Sequence, residues 1–543
     1  MLLILILLPL IFALICHVTA RRSEAACWYV ALLGTALELA AAILASLQPD
    51  HSLVPGLALL GPELCLALDG FRRVYILVIA FLWLMTTLFS GEYMAHYKNR
   101  GRYYSFQLLT LGLMMGEFLS QSLAQGFLFL CLMTASCSVW MRHEQTPEAH
   151  RSADGFVRTT WIGCGAGLVG LILLYILLGT TSLSALPEAA AACQNRGLLY
   201  AAGFLLLVCF GARAGMVPMH NWLTNTHPVP APGSALVSGV ITKSGIWGVL
   251  AVSCDLFHGD ALWGAVIVVL GLVTMLTGAV LALVSVNLKR TLACSSVSQI
   301  GFILIGIGMM GILGEENALA ARGVLLHMVN HSLFKLVLYT GAGVVVMNLH
   351  RLELNDIRGF GRGKPLLLVG FLMGALGIGG IPGWSGYISK TLLHEAIVEG
   401  AVHTGSVWLH AAEWLFLLTG GLTICYMTKL FVALFVEKHP DRQAEFDAKQ
   451  PCMNWRSALA LLLPAALLPI LGLLPGRLMD PIADLGTDFF RSAAPGHAVH
   501  YFSSENLNGA LISILIGALV YLLFVRRFCR KDGRYVDPLQ KKS

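Results

Sequence analysis

Charge is scarce in this chain: 12% of its 543 residues are Asp, Glu, Lys or Arg, about half the share expected of a soluble globular protein. That shortage excludes an ordinary enzyme surrounded by water, because too little polar surface is available to cover several soluble cores. The thirteen cysteines stand singly, with no C-x-x-C pair and no Cys/His cluster spaced for zinc, haem or iron–sulfur ligation. A phosphate-cradling G-x-x-x-x-G-K-[ST] loop is missing, as is a Rossmann glycine signature opening a soluble strand–helix unit. No cofactor, metal site or catalytic residue is therefore expected in the chain itself, and any redox centre belongs to a partner. Lys+Arg against Asp+Glu is 36 to 30, an excess too small to point to nucleic acid.

Hydrophobic residues fill the sequence instead, at 57%. They fall in about fifteen apolar stretches of roughly 18–25 residues, long enough for a hydrocarbon core about 30 Å thick. The stretches lie near 2–19, 26–47, 72–90, 104–122, 124–141, 159–180, 198–217, 232–253, 261–286, 292–313, 320–348, 366–396, 407–436, 456–474 and 507–525. The expected fold class is an all-α polytopic membrane protein of about 14–15 transmembrane helices. The first stretch is apolar and N-terminal like a signal peptide, but Arg21 and Arg22 follow it rather than precede it, so it is read as a helix. Basic residues are uneven between loops. One alternating set, with the tail from Arg526 to Lys542, holds 25 of them, and the opposite set holds six. The N-terminus is then expected outside and the C-terminus in the cytoplasm. The run Arg526-Arg527-Phe-Cys-Arg530-Lys531 reads as an inside-positive anchor, with anionic-lipid binding as the alternative.

Five basic residues remain inside the stretches: Arg213, Lys243, Lys335, Lys390 and Lys429. A charge at the bilayer centre costs roughly 2.5–3.5 kcal/mol even on a lenient insertion scale, so such groups face a bundle interior or a wet cavity. His327, His331 and Lys335 stand at i, i+4 and i+8 and line one helix face. A titratable stripe of this kind suggests a proton wire, since histidine titrates near neutrality and burial can bring lysine there. A polar interhelical seam is the plain alternative. Histidines at i, i+4 on one helix cannot take both axial positions of a haem. Two stretches are also interrupted, at Arg213-Ala-Gly-Met-Val-Pro218-Met-His220 and at Gly377-Ile-Gly379-Gly380-Ile-Pro382-Gly383-Trp384 before Lys390. Paired interruptions in two halves point to an internal repeat with sites at midplane. Simple helix flexing is the alternative. Lys429, near the inner end of its stretch, is expected to snorkel.

These segments resemble the antiporter-like subunits shared by respiratory complex I, multi-subunit Na+/H+ antiporters, and membrane-bound hydrogenase and formate hydrogenlyase complexes. The resemblance covers most of the chain and is carried by an ordered series of strings. It runs from Asp69 through Gly215-Met-Val-Pro-Met-His-Asn-Trp-Leu223, Ala231-Pro-Gly-Ser-Ala-Leu236 with Lys243, and Leu288-Lys-Arg-Thr-Leu-Ala-Cys-Ser-Ser-Val-Ser-Gln-Ile-Gly301. It continues through His327 to Lys335, Asp356-Ile-Arg-Gly-Phe-Gly361 and Gly380-Ile-Pro-Gly-Trp-Ser-Gly-Tyr-Ile-Ser-Lys390. The resemblance implies two inverted five-helix repeats, each with a broken helix, marked by Pro218 and Pro382. It implies a polar axis in which Lys243 is the central lysine of the first half. His327, His331 and Lys335 form the relay of the second half, and Lys390 is its terminal lysine. The implied divisions are 1–103 for peripheral N-terminal helices, 104–255 and 256–437 for the repeats, and 438–543 for C-terminal helices and a basic tail.

Two departures stand out. The family places a glutamate on the fifth helix, paired with a lysine before the first break. Here the fifth stretch, Gly126 to Ser136, has no carboxylate and the lysine position is Arg213. A guanidinium, with a pKa above about 12, keeps its proton, so Arg213 is expected to act as a fixed electrostatic gate, with Glu117 one helix earlier as the candidate counter-charge. The expected function is a proton-translocating subunit of a redox-driven complex of the hydrogenase, formate hydrogenlyase or NADH:quinone oxidoreductase type, in a bacterial or archaeal cell membrane. Its partners would be other membrane subunits, soluble cofactor-bearing subunits and lipid. The alternatives are a subunit of a multi-subunit Na+/H+ antiporter and a non-conducting structural spacer.

Overall fold

A peptide group in lipid has no water to bond, so a chain this apolar must close its backbone hydrogen bonds within helices. The computed structural model, which describes residues 1–53, 65–493, 495 and 499–538, follows that requirement. Its membrane-scale helices are α1 (Leu2–Ala20), α2 (Glu24–Ser46), α3 (Gly70–Tyr93), α4 (Arg100–Leu119), α5 (Leu123–Met141), α6 (Pro147–Leu178), α7 (Arg196–Ala214), α8 (Ala231–Leu256), α9 (Ala261–Val284), α10 (Leu288–Leu313), α11 (Ala318–Leu349), α12 (Pro365–Gly379), α13 (Ser385–Thr404), α14 (Val407–Val436), α15 (Trp455–Leu473) and α16 (Ser504–Phe528). Among the described residues, thirteen helices are long and apolar enough to span a membrane. The less apolar α4 and the pair α12–α13 bring the passes to fifteen. The 366–396 stretch, expected as one span with an interruption, is thus two separate helices.

Polar residues at the water boundaries start many of these helices. Ser122, Thr146, Asp260 and Asn287 each accept a hydrogen bond from a backbone N–H in the first turn of α5, α6, α9 and α10, as N-cap side chains do. The connections sort into two faces. On one, Tyr97 bonds Glu144 at 3.2 Å, Asn287 bonds Glu353 at 3.0 Å and Arg530 pairs with Glu437 at 2.8 Å. On the other, Ser122 bridges Ser182, Arg322 pairs with Asp480 and Asp484, and Arg491 pairs with Asp255. The first face carries the basic-rich loops and the C-terminal tail; the second is the face opposite.

Within that frame, α4 to α8 and α9 to α14 are two five-pass repeats entering from opposite faces, and the fourth pass of each is broken. Their close packing relies on small residues, because lipid offers no hydrophobic drive between helices. Along the α9–α10 contact, a Cβ on Gly278 would lie 2.3 Å from the Ser298 nitrogen, and one on Gly301 would lie 2.3 Å from the Met275 nitrogen. Backbone cannot yield there as a side-chain tip could. We expect Gly301→Ala to destabilise the protein by about 1–3 kcal/mol, the range for overpacking. Gly155→Ala, inside α6 at a position with nothing within 4 Å, should not destabilise it, since alanine favours a helix interior over glycine. Thermal unfolding of the purified variants checks both.

Candidate functional site

The breaks in the fourth passes create the polar centre. α7 stops at Gly215 and α12 stops at Gly380, both in the left-handed region at φ 80° and 74°. Each end closes in the same way. The N–H of Gly215 bonds Ala212 and that of Met216 bonds Gly211, while the N–H of Gly380 bonds Gly377 and that of Ile381 bonds Leu376. This is the glycine-terminated helix end with crossed 6→1 and 5→2 bonds, and a proline follows each. Pro218 and Pro382 therefore mark true helix ends, not flexed helices.

Lys390 reaches back across the second break. Its Nζ donates to the Ile378 carbonyl at 2.9 Å and lies 3.5 Å from that of Gly379, at the negative end of the α12 dipole. The ring of Phe302 lies 4.9 Å from it. Lys243 has a comparable seat on α8. Residues Val237–Ile241 form a π-turn, which takes carbonyls out of the regular ladder. The Ser238 carbonyl accepts from Thr242 Oγ1 at 3.0 Å and Lys243 Nζ at 2.9 Å. Lys243 Nζ is also 2.5 Å from His331 Nδ1, close enough for the amine and imidazole to share one proton.

From His331 the polar groups continue along α11. His327 meets Gln299 Oε1 at 3.1 Å and Ser389 Oγ at 3.0 Å, beside Lys390. Asn330 bonds the same Ser389 at 3.0 Å and the Ser385 carbonyl at 2.8 Å. Lys335 donates to the Leu292 carbonyl at 2.7 Å and to Ser295 Oγ. Lys243, His327, His331 and Lys335 are fully buried and Lys390 is 8% exposed. Among the described residues none of these lysines is in an ion pair with a carboxylate; backbone carbonyls and hydroxyls satisfy them.

The first half is built differently. Arg213 bonds Ser244 Oγ at 3.2 Å and Thr134 Oγ1 at 3.3 Å, and its guanidinium lies 5.0 Å from the Phe156 ring centre. Glu117 is buried, feels the Arg213 charge and approaches the same Ser244 hydroxyl. The two do not form a direct ion pair, and neither carboxylate oxygen of Glu117 has a hydrogen-bond partner among the described residues. Lys429 departs from expectation. It does not snorkel: it is 1% exposed and bonds the carbonyls of Ala282, Leu283 and Ser285 at the end of α9.

Two clefts have polar linings. One is lined by Lys390, Tyr387, His394 and Asn506 between α13, α14 and α16. Another lies on the basic-rich face and is lined by Tyr97, Glu144, His227, Lys289 and His350. Sequence reasoning about charges missed Ser238, Ser295, Gln299, Asn330 and Ser389. Ser295 and Gln299 carried a usable signal, an i, i+4 polar pair within an apolar helix.

Comparison with known proteins places this geometry. The sequence profile of the family described as NADH:quinone oxidoreductase/Mrp antiporter, TM matches residues 120–415. Hydrogenase-4 component B of Escherichia coli K12 is 29% identical over 450 residues, covering 79% of this chain and 65% of that protein. A chain of the Mrp complex from Dietzia sp. DQ12-45-1b superposes with a TM-score of 0.83 at 22% identity, over 97% of this chain and 56% of that one. A chain of respiratory complex I from Thermus thermophilus gives 0.74 at 20% identity, over 90% of this chain and 99% of that one. This chain thus spans less than two thirds of the length of the hydrogenase component and of the Mrp chain.

The seat of Lys390 is open to a stability test. Gly380→Ala would put a non-glycine residue in the left-handed region, at about 1–2 kcal/mol, and set its Cβ 2.8 Å from Lys390 Cδ. Gly179→Ala carries the same backbone strain at φ 72° with nothing within 4 Å. Gly380→Ala should lower the thermal midpoint more than Gly179→Ala; equal losses would show that Lys390 is not wedged against the helix end.

Proposed function

Because this chain belongs to the NADH:quinone oxidoreductase/Mrp antiporter transmembrane family, we propose that it is a proton-translocating, antiporter-like subunit of a redox-driven membrane complex. The observation that carries this reading is the line of buried proton carriers along α11, Lys335, then His331 with Lys243 bonded to it, then His327, which meets Ser389 next to Lys390 beside a cleft. Each carrier sits on neutral acceptors instead of a fixed counter-ion, so a proton arriving or leaving changes the local charge by a whole unit. That change is felt strongly by the next lysine in a low-dielectric interior. Electron transfer in cofactor-bearing partner subunits would drive these steps, with neighbouring membrane subunits and lipid completing the assembly.

Similarity to hydrogenase-4 component B favours the hydrogenase branch. The fold match to the Mrp complex chain supports the second reading, a subunit of a multi-subunit Na+/H+ antiporter. We assign the chain to a bacterial or archaeal cell membrane with the N-terminus outside and the C-terminal tail in the cytoplasm, from the excess of Lys and Arg on that face. The repeats are taken as 104–255 and 256–437, flanked by peripheral helices at 1–103 and 438–543. In the first repeat Arg213 and Glu117 act as an electrostatic gate, since a guanidinium holds its proton. The second repeat carries transport, which a pure spacer would not require.

Proton uptake into vesicles bearing the purified host complex tests this. Lys335→Met and Lys390→Met should each assemble, keep electron transfer in uncoupled vesicles, and lower uptake about tenfold or more, the scale of losing one proton-transfer group. Arg213→Gln should keep most of it. Native uptake in assembled Lys335→Met and Lys390→Met complexes would leave the spacer reading in its place.

A further inference from the structure

The line of carriers stops at Lys390, and a proton held there still has to reach water. The cleft beside Lys390 offers the space. Gly379 and Gly380, at the end of α12 where the Lys390 amine is seated, form one part of its wall, and His394 forms another. Lys390 and His394 stand at i and i+4 on α13, so they share one helix face a single turn apart. Across the cleft lies α16. A Cβ on Gly509 would sit 3.6 Å from His394 Cε1 and 3.8 Å from its Nδ1, so glycine there leaves this edge of the imidazole facing the cleft.

The other edge of the ring points to α14. His394 Nε2 lies 3.2 Å from Glu413 Oε1, and Glu413 Oε2 lies 3.8 Å from His410 Nδ1. Exposure rises along this series. Lys390 is 8% exposed, while the side chains of His394, Glu413 and His410 are 17%, 23% and 58% exposed. Glu413 and His410 belong to the first two turns of α14, which starts at Val407 just after α13 ends at Thr404. The far end of α14 leads into Glu437 on the basic-rich face, so His410 lies toward the opposite face. The further carboxylate near His394 is Glu395 of its own helix, which accepts a 2.5 Å bond from Asn506 of α16.

We propose that His394 and Glu413 form the proton outlet of the second repeat, on the face opposite the basic-rich loops. Lys390 releases a proton into the cleft, where one water spans the turn to His394. The imidazole accepts it at Nδ1 and gives up the proton on Nε2 to the Glu413 carboxylate, using both ring nitrogens. Glu413 then loses its proton to the water outside, past His410. His394 and Glu413 each gain one proton and lose one, and Lys390 is left as a neutral amine. This rests on the reading that Lys390 conducts.

The competing role for the His394–Glu413 contact is a plain tie between α13 and α14. Glutamine at 394 keeps a donor for Glu413, and glutamine at 413 keeps an acceptor for His394, but neither can carry a proton. Proton uptake by the full complex in vesicles therefore decides, with His394→Gln, Glu413→Gln and Gly509→Leu compared with Lys390→Met. The expected result is normal assembly and electron transfer, with uptake reduced about tenfold in the two glutamine variants. Gly509→Leu, which fills the cleft and leaves the His394–Glu413 contact in place, should lower uptake several-fold. Native uptake in His394→Gln, alongside loss in Lys390→Met, would overturn the outlet and leave the tie. Should the glutamine variants fail to assemble, Gly509→Leu on the largely exposed α16 decides alone, and native uptake in it overturns the proposal. Native uptake in Lys390→Met would remove the conducting path itself, a distinct failure.

Discussion

Everything at the centre of this protein follows from one difficulty, the burial of ammonium groups in a membrane without carboxylates to meet them. An uncompensated charge in such a medium is strongly disfavoured. The fold answers with backbone carbonyls that helices no longer use. Lys390 takes those at the end of α12, Lys429 those at the end of α9, Lys243 one at the π-turn of α8, and Lys289 donates to the Val229 carbonyl in the first break. Lys335 shares the Leu292 carbonyl with the Ser295 hydroxyl. Broken and bulged helices thus act as lysine seats. A neutral seat stabilises the charged amine without locking the proton there, as a carboxylate partner would.

This arrangement gives the two repeats different characters. Their breaks end on the same crossed hydrogen-bond pattern at Gly215 and Gly380, yet a lysine approaches one and an arginine the other. Lys390 bonds carbonyls of its break, whereas Arg213 turns to the hydroxyls of Ser244 and Thr134 and to the Phe156 ring. Glu117, buried nearby, forms no ion pair with that arginine. In the proposed reading, a permanent positive charge in the first repeat would raise the energy of any proton that approaches it.

Much of this was legible in the sequence because membrane burial leaves a strong mark there. Apolar stretches gave nearly every helix, and a lysine inside such a stretch is conspicuous by its cost. The breaks showed through Gly-Met-Val-Pro and Gly-Ile-Pro. What the sequence concealed is the acceptor side of each contact. A carbonyl carries no residue identity, so the π-turn at Val237–Ile241 and the α9 terminus that holds Lys429 left no trace. The sequence alone therefore predicts a snorkelling Lys429, whereas the side chain is fully enclosed. Serines and a glutamine such as Ser295, Ser389 and Gln299 were passed over because uncharged polar residues are common seams in membrane helices. Only the folded arrangement, with α10 and α13 on either side of α11, brings them to the histidines.

The central claim is that lysines, seated on carbonyls, change protonation as the protein works. Infrared difference spectra of the host complex between resting and turnover states, with lysine isotopically labelled, test it most directly. The account predicts label-sensitive lysine bands that appear on turnover and vanish in the Lys335→Met variant. Bands from carboxylates alone, with no response to the lysine label, would contradict it.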